Sequence, residues 1–389
     1  MNEAAADRAM IDLARRSMPA LAAATDVVRA SGALRGRRVG VALMLEPKTA
    51  CLAEALAEAG AQVAVFGNDF STKAPVVDAL RASGLWVLTD RDEFIDTRIE
   101  YLADDGAGMT RRIHGDRRDV LDDLRGVAEE TTSGVRPLRN MAAEGALAVP
   151  CIAVNDARSK LRFDNVYGTG QSVVMAVLDV TGVHLAGARV VVAGYGRVGH
   201  GIAAVARAMG ARVTVTEIDP VEALAALHDG HDVAPLLDAV ATADVVITAS
   251  GIGHTLTADH LAVMGQGTIV AVGGAGWPEV DLGGRVVVGE EVAPHVRPVT
   301  TPSGTTVLLV ADGHCANTTA GEGNPIEIMD LSLALQLRAL DLLASTSLPP
   351  GVHELPASID DEVAASQLAA AGIRIDVPSA AQRRAATSW

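Results

Sequence analysis

Aromatic residues are scarce in this 389-residue chain: four Phe, three Tyr and three Trp, 3% of the whole. A core without large rings must be filled by aliphatic side chains, which suits helices packed on Val-rich strands. Cysteine is scarcer still. Cys51, Cys151 and Cys315 are odd in number and far apart, which excludes a disulfide scaffold or a Cys-x-x-Cys zinc site and points to buried, reduced thiols. No metal site is expected. Basic charge is also short, 32 Lys and Arg against 48 Asp and Glu, for a net −16. Phosphate backbones are bound by positive stripes, so nucleic acid is not expected as a partner. No run of 18 apolar residues is free of charge, so no membrane helix is expected. The first 25 residues mix acids with Pro19 where a signal peptide would carry a basic start and an apolar block. The expectation is a soluble, cytoplasmic protein with no membrane partner.

What is present is 49% hydrophobic and rich in Ala, Val, Leu and Gly, too apolar for a disordered chain and long enough for two domains. Short apolar runs at residues 38–45 and 62–66 flank a helical pattern at 49–59. Further strands are predicted at 189–193, 212–216, 243–249 and 267–273, with a helix at 202–209 after a glycine-rich stretch. This alternation predicts an α/β fold built on a doubly wound parallel sheet. Residues 327–343 predict one long apolar helix, ended by Pro349-Pro350-Gly351.

Gly194, Gly196 and Gly199 form G-x-G-x-x-G between a predicted strand and a predicted helix, with Arg197 and Val198 inside the motif. The first glycine permits the tight turn, the second lets backbone amides approach a pyrophosphate, and the third lets helix and strand pack closely. Glu217 ends the next strand, where a carboxylate accepts hydrogen bonds from an adenosine ribose and repels a 2′-phosphate. NAD is therefore expected in preference to NADP. Ser250, after the strand at 243–249, joins this cofactor-binding set.

Seven segments, in order along almost the whole chain, resemble S-adenosylhomocysteine hydrolases. They are Asp104-Asp105-Gly106, residues 129–135 (EETTSGV), Val154-Asn155-Asp156, residues 163–168 (FDNVYG), residues 192–199 (VAGYGRVG), residues 216–220 (TEIDP) and Gly351-Val352-His353. The resemblance implies a split substrate-binding α/β domain with an inserted Rossmann NAD-binding domain. The expected division is 1–165 for the first part of the substrate domain, 166–325 for the NAD domain, 326–360 for the return and 361–389 for a tail. It also implies a homo-oligomer, dimer or tetramer, acting on a small-molecule nucleoside.

In that family NAD transiently oxidises the 3′-hydroxyl, a base removes the acidified C4′ proton, the 5′ substituent leaves, and water adds before the ketone is reduced. By resemblance Lys160 handles the hydroxyl proton and Asp164 holds the same hydroxyl. Glu130 binds the sugar hydroxyls and Asp105 lies near C4′ and C5′. Asn165 touches the nicotinamide side, Thr131, Thr132 and Ser133 form the hydroxyl run on NAD, and Asn317 meets the carboxamide.

The departures from the family cluster. Its histidines fall on Met44, Ala275 and Asn324, its adenine-holding threonine on Glu46, an acid on Lys48, and a cysteine on Thr169. Glu46 and Asn324 are accordingly expected at the substrate. Glu222 replaces an asparagine, and the end of the chain, residues 382–389 (QRRAATSW), lacks the family's Lys and Tyr. Imidazoles shuttle protons near neutral pH, so their loss separates elimination from water addition. The leading expectation is a nucleoside lyase that expels water and yields an unsaturated, angustmycin-type nucleoside. A hydrolase with an altered proton relay and a catalytically idle NAD-binding regulator are the alternatives. With the imidazoles gone, Asp105, Glu130 or Glu46 must protonate the leaving group. His314, near Asn317, is read as structural.

Overall fold

In a computed structural model that describes residues 3–67, 72–274 and 278–389, two sheets, one wholly parallel and one mixed, face one another across a cleft. The first contains β1 (Arg38–Ala42), β2 (Gln62–Phe66), β3 (Trp86–Leu88), β4 (Tyr101–Asp104), β5 (Gly126–Glu129) and β6 (Pro150–Ala153). Its strand order is β6-β5-β4-β1-β2-β3, with a late strand added beside β6. Every pairing is parallel, so the order reverses between β1 and β4. Ligands of such sheets bind beyond the carboxyl ends at that reversal. Asp104 ends β4 and Asp105 follows it, Glu130 follows β5 and Asn155 follows β6.

The second sheet begins with β7 (Arg189–Ala193), β8 (Arg212–Thr216), β9 (Asp232–Val233) and β10 (Val245–Thr248). A separate short pair, β11 (Leu256–Thr257) and β13 (Val280–Asp281), brackets β12 (Ile269–Val272) in sequence. The sheet is completed by β14 (Val287–Val288), β15 (Val296–Thr300) and β16 (Thr306–Val310), in the order β14-β15-β16-β12-β10-β7-β8-β9. The glycine motif follows β7, Glu217 follows β8, Ser250 lies beyond β10 and Gly273-Gly274 follow β12.

The chain then returns. The helix Ile326–Ser345 is buried on most sides: Leu333, Ala334, Leu335, Leu337, Ala339 and Leu340 are fully enclosed, and so are the polar Asp330, Ser332 and Gln336, which find partners inside. Its Asp330 carboxylate accepts from the backbone N–H of Ala20 (2.9 Å) and Leu21 (2.7 Å), capping the helix Pro19–Ser31 from 310 residues away. β17 (Gly351–Glu354) pairs with β6, so the first sheet is closed by a strand from the far end of the sequence.

The expected elements are present with shifted ends. The strand expected at 38–45 stops at Ala42, because Met44 turns onto the cleft. The helix expected from 202 starts at Arg197, immediately after Gly196. The divisions expected near 165 and 360 fall inside the helical segments Lys160–Gly168 and Ala357–Ala370; the second buries Val363. Among the described residues no helix is long and apolar enough to cross a membrane.

Candidate active site

The carboxyl edges of both sheets meet at a cavity of about 460 Å³, within the usual range for small-molecule sites. Asp105, Glu130, Thr131, Thr132, Ser133, Lys160, Asp164, Asn165, Gly196, Arg197, Val198, Ser250, Asn317, Glu46 and Asn324 all line it. Gly194, Gly199 and Glu217 stand behind the lining. Twelve of these lining residues lie more than 50 positions from both Glu46 and Asn324, so the topology rather than local sequence assembles the site.

Lys160 and Asp164 lie in a π-helical segment, Lys160–Gly168. One residue is added to each turn there, and such turns recur at functional sites. The wider turn brings positions i and i+5 together: Lys160 Nζ donates to Asn165 Oδ1 at 2.9 Å and lies 3.2 Å from Asp164 Oδ2. Both charged groups are buried. Burial pulls the Lys160 ammonium down, but Asp164, Glu130 and Asp105 outweigh it and hold the ammonium above its ordinary value.

The carboxyls move the other way. Burial pushes Glu130 up to about 8, against the pull of Lys160 and with the repulsion of Asp105 and Asp164. Burial likewise raises Asp105, opposed by Lys160. Glu46 is pushed up to about 7 by burial, although Lys48 Nζ lies 2.8 Å away. Lys48 also donates to the Glu322 carbonyl at 2.7 Å, which ties this wall to the returning chain. Met44 supplies an apolar wall, and no histidine is among the described residues that line the cavity. Ala275, expected at a family histidine position, lies outside the described residues.

Three residues to which sequence reasoning gave no role set the geometry, Asn155 within the lining and Glu129 and Glu279 behind it. Glu129 is fully buried and accepts from Gly106 N (2.8 Å), Ala107 N (2.9 Å), Thr131 N (3.0 Å) and Thr131 Oγ1 (3.0 Å). It thereby fixes the loops that carry Asp105 and Glu130. Asn155 accepts from Thr132 Oγ1 (3.0 Å) and Asn165 Nδ2 (3.2 Å). Glu279, also fully buried, accepts from Ser250 N (2.9 Å), Ser250 Oγ (2.8 Å) and Gly251 N (3.0 Å), bracing the loop after β10. The first two stand inside the quoted motifs EETTSGV and VND. Glu279 carries no motif of its own.

The nucleotide half fits a dinucleotide. Gly194 adopts φ +102°, and a Cβ at Gly199 would sit 1.9 Å from the Gly194 carbonyl oxygen, so neither tolerates a side chain. Gly196 faces open space, and the helix Arg197–Ala208 directs its N-terminus there. The Glu217 carboxylate accepts from Tyr195 N (2.6 Å) and Ile218 N (2.7 Å), which places an acid at the end of β8 beside the loop. Cys315, which also lines the cavity, hydrogen-bonds Asn317 Oδ1, and burial pushes its thiol up to about 12. It is not a thiolate.

Asn324, expected at the substrate, lines the cavity with its side-chain amide fully engaged by protein partners. Its Nδ2 donates to Asp164 Oδ1 (2.6 Å) and Thr169 Oγ1 (3.1 Å), while its Oδ1 accepts from Ser172 Oγ (2.6 Å) and Asn317 Nδ2 (3.1 Å). Two donors and two lone pairs exhaust the amide. His314 is not among the residues lining the cavity.

A glycine-rich βαβ cradle facing a lysine and several buried carboxyls across one cleft defines a dinucleotide-dependent enzyme. Residues 165–323 match the model of the S-adenosyl-L-homocysteine hydrolase NAD binding domain, and residues 1–104 match S-adenosyl-L-homocysteine hydrolase itself. The adenosylhomocysteinase of Thermotoga maritima is 42% identical over 97% of this chain and 98% of its own length. The S-inosyl-L-homocysteine hydrolase of Methanopyrus kandleri is 39% identical over 98% and 94%. The adenosylhomocysteinase of Archaeoglobus fulgidus is 38% identical over 97% and 98%. The chain belongs to the S-adenosyl-L-homocysteine hydrolase family, and NAD is its cofactor.

Proposed function

We propose that the protein is a nucleoside dehydratase: it removes the proton next to an exocyclic hydroxymethyl group and expels the hydroxyl as water. The observation that carries this reading is the pairing of a cavity wall without histidine among its described residues and a carboxyl, Glu130, held at about 8. Hydroxide is a poor leaving group and needs an acid that is protonated at neutral pH.

NAD supplies reversible oxidation of the ring hydroxyl carbon, which acidifies the neighbouring C–H. The chain's own residues move protons. Lys160, held between Asp164 and Asn165, handles the proton of that hydroxyl. Asp105, made more basic by burial, takes the C4′-type proton, and the electron pair left behind forms the exocyclic double bond. The departing oxygen takes the Glu130 proton and leaves as water. The Asp105 proton returns to Glu130 through the acidic cluster. Thr131, Thr132, Ser133, Ser250 and Asn317 hold the cofactor around the nicotinamide, and Gly194, Gly196, Arg197, Val198, Gly199 and Glu217 hold its other half. Glu46, pinned by Lys48, meets the nucleobase. The product is an unsaturated nucleoside with an exocyclic enol ether.

The identity to named hydrolases favours a second reading, cleavage of a nucleosyl-homocysteine thioether with water addition. Mass spectrometry separates the two. The NAD-loaded protein is given S-adenosylhomocysteine in one vessel and a psicofuranosyl adenine in another. Loss of one water from the free nucleoside is the expected result. Release of homocysteine with no dehydration would establish the hydrolase.

A further inference from the structure

We infer that Asn324 is a positioning residue for the Lys160–Asp164 pair, fixing the Asp164 carboxylate and tying its orientation to the point where the chain crosses between the two lobes. This rests on the proposed role of that pair at the substrate hydroxyl.

Asp164 is 4% exposed, and three donors hold it: Asn324 Nδ2 on Oδ1 at 2.6 Å, Ser332 Oγ on Oδ2 at 2.6 Å, and Lys160 Nζ on Oδ2 at 3.2 Å. Ser332 is fully buried on the helix Ile326–Ser345, so Oδ2 is anchored from the substrate lobe. Oδ1 is anchored by Asn324 alone among these three, and Asn324 has a different footing. Its Oδ1 is held by Ser172, on the helix Thr169–Thr181, and by Asn317 of the nucleotide lobe. Asn317 Nδ2 also donates to Ser172 Oγ at 3.0 Å, which closes a three-membered polar ring.

The surroundings leave room for this amide and little else. A Cβ at Gly168 would lie 3.0 Å from Asn324 Nδ2 and 2.8 Å from Ile328 Cγ2, so the glycine clears the space. Gly323 N donates to Asn317 O at 2.8 Å, and Gly323 takes φ +68°, a conformation that turns the returning chain to deliver Asn324 inward. Both outward crossing (Asp164, Thr169) and return crossing (Asn324) therefore meet at one side chain. A planar amide with two donors and two acceptor lone pairs serves four partners at once; an imidazole has only two ring nitrogens and cannot. The residue touches no substrate through its polar atoms, and it acts through Asp164.

The test uses the NAD-loaded holoenzyme with psicofuranosyl adenine and adenosine as probes. Formation of reduced nicotinamide is followed in a single turnover by its near-ultraviolet absorbance. NAD affinity is measured separately by protein fluorescence. Asn324→Ala is expected to slow the absorbance rise by about 10- to 100-fold, the effect of a small misplacement at reacting groups, with NAD affinity within about twofold of wild type. Asn324→Asp keeps the shape and places a second carboxyl against Asp164. Like charges this close do not both ionise, so the acidic limb of the turnover profile is expected to move to higher pH. A wild-type rate and profile in both variants would overturn the inference, as would a loss of NAD affinity that matches the loss of rate. No absorbance change in the wild type with either probe would overturn the reading on which the inference rests, and is distinguishable because no variant is involved.

Discussion

Lys160 Nζ and Asn165 Oδ1 are joined at 2.9 Å although five residues separate them. In a regular α-helix positions i and i+5 diverge by more than a quarter turn; the π-helical segment Lys160–Gly168 closes that gap. The same turn leaves Asp164 3.2 Å from the ammonium, so one short segment supplies a cation with an anion and an amide already in place. Lys160→Met should therefore cut turnover by about 10²- to 10⁴-fold, the span of general acid–base contributions. NAD affinity should be unchanged. Single-turnover formation of reduced nicotinamide checks the first statement and fluorescence titration the second; a variant with near-normal turnover would remove Lys160 from the chemistry.

Glu130 sets a pH dependence. It is held at about 8 and its neutral form is the working one, so turnover should fall as pH rises through that value. Glu130→Gln keeps the neutral shape without the proton and should lose the activity while removing that limb. Stability follows pH in the same direction. A carboxyl whose folded pKa is raised contributes stability that is full below its unfolded value, near 4.5, and is lost as pH climbs toward the folded one. The cofactor-free Glu130→Gln variant should therefore melt higher than wild type at pH 8 and nearly level with it at pH 4. A melting difference independent of pH would show that Glu130 is already ionised.

Gly199 permits a sharper test. An alanine Cβ there would stand 1.9 Å from the Gly194 carbonyl oxygen and 3.6 Å from the Ala249 side chain. Backbone rather than a flexible side chain blocks it, so the glycine loop must shift away from the helix Arg197–Ala208. Gly199→Ala should lower NAD affinity by at least about 100-fold, in line with disruption of a built phosphate cradle. Isothermal titration measures it, and an affinity within a few-fold of wild type would mean the cradle is elsewhere.

Much of this was legible in the sequence, and the illegible parts have physical reasons. The glycine motif, Glu217 and the two acidic motifs fall at strand ends because parallel sheets expose their carboxyl edges there, and strand ends are readable from short apolar runs. Which runs become neighbours is not. β17 pairs with β6 across about two hundred residues, and Asp330 caps a helix near the start of the chain; neither has a local signal. Glu46 and Lys48 were visible as departures, but their mutual pairing and the hold on Glu322 depend on the return of the chain. Asn324 was read as a substrate contact because a family histidine falls on that position. Its saturation by four protein partners appears only once both crossings are placed together.

Glu279 is the position that pattern reading could least have found, and it leads to the last prediction. Its carboxylate binds the amides of Ser250 and Gly251, and a Cβ at Gly274 would lie 1.9 Å from Oε1. One buried side chain thus joins the loop after β10 to the turn after β12, two loops that line the cavity. Replacing it with alanine leaves two half-buried amides without their acceptor, at no more than about 1–3 kcal/mol each, and frees both loops. Glu279→Gln keeps one acceptor oxygen but puts a donor against an amide N–H, so it should behave nearly as badly. Both variants should raise the NAD dissociation constant by about 10- to 100-fold while leaving Lys160, Asp105 and Glu130 in place. Saturating NAD should then restore most of the turnover. A turnover deficit that saturating NAD fails to relieve would place Glu279 in the chemistry rather than behind the cofactor, and unchanged affinity would show that the two loops hold themselves.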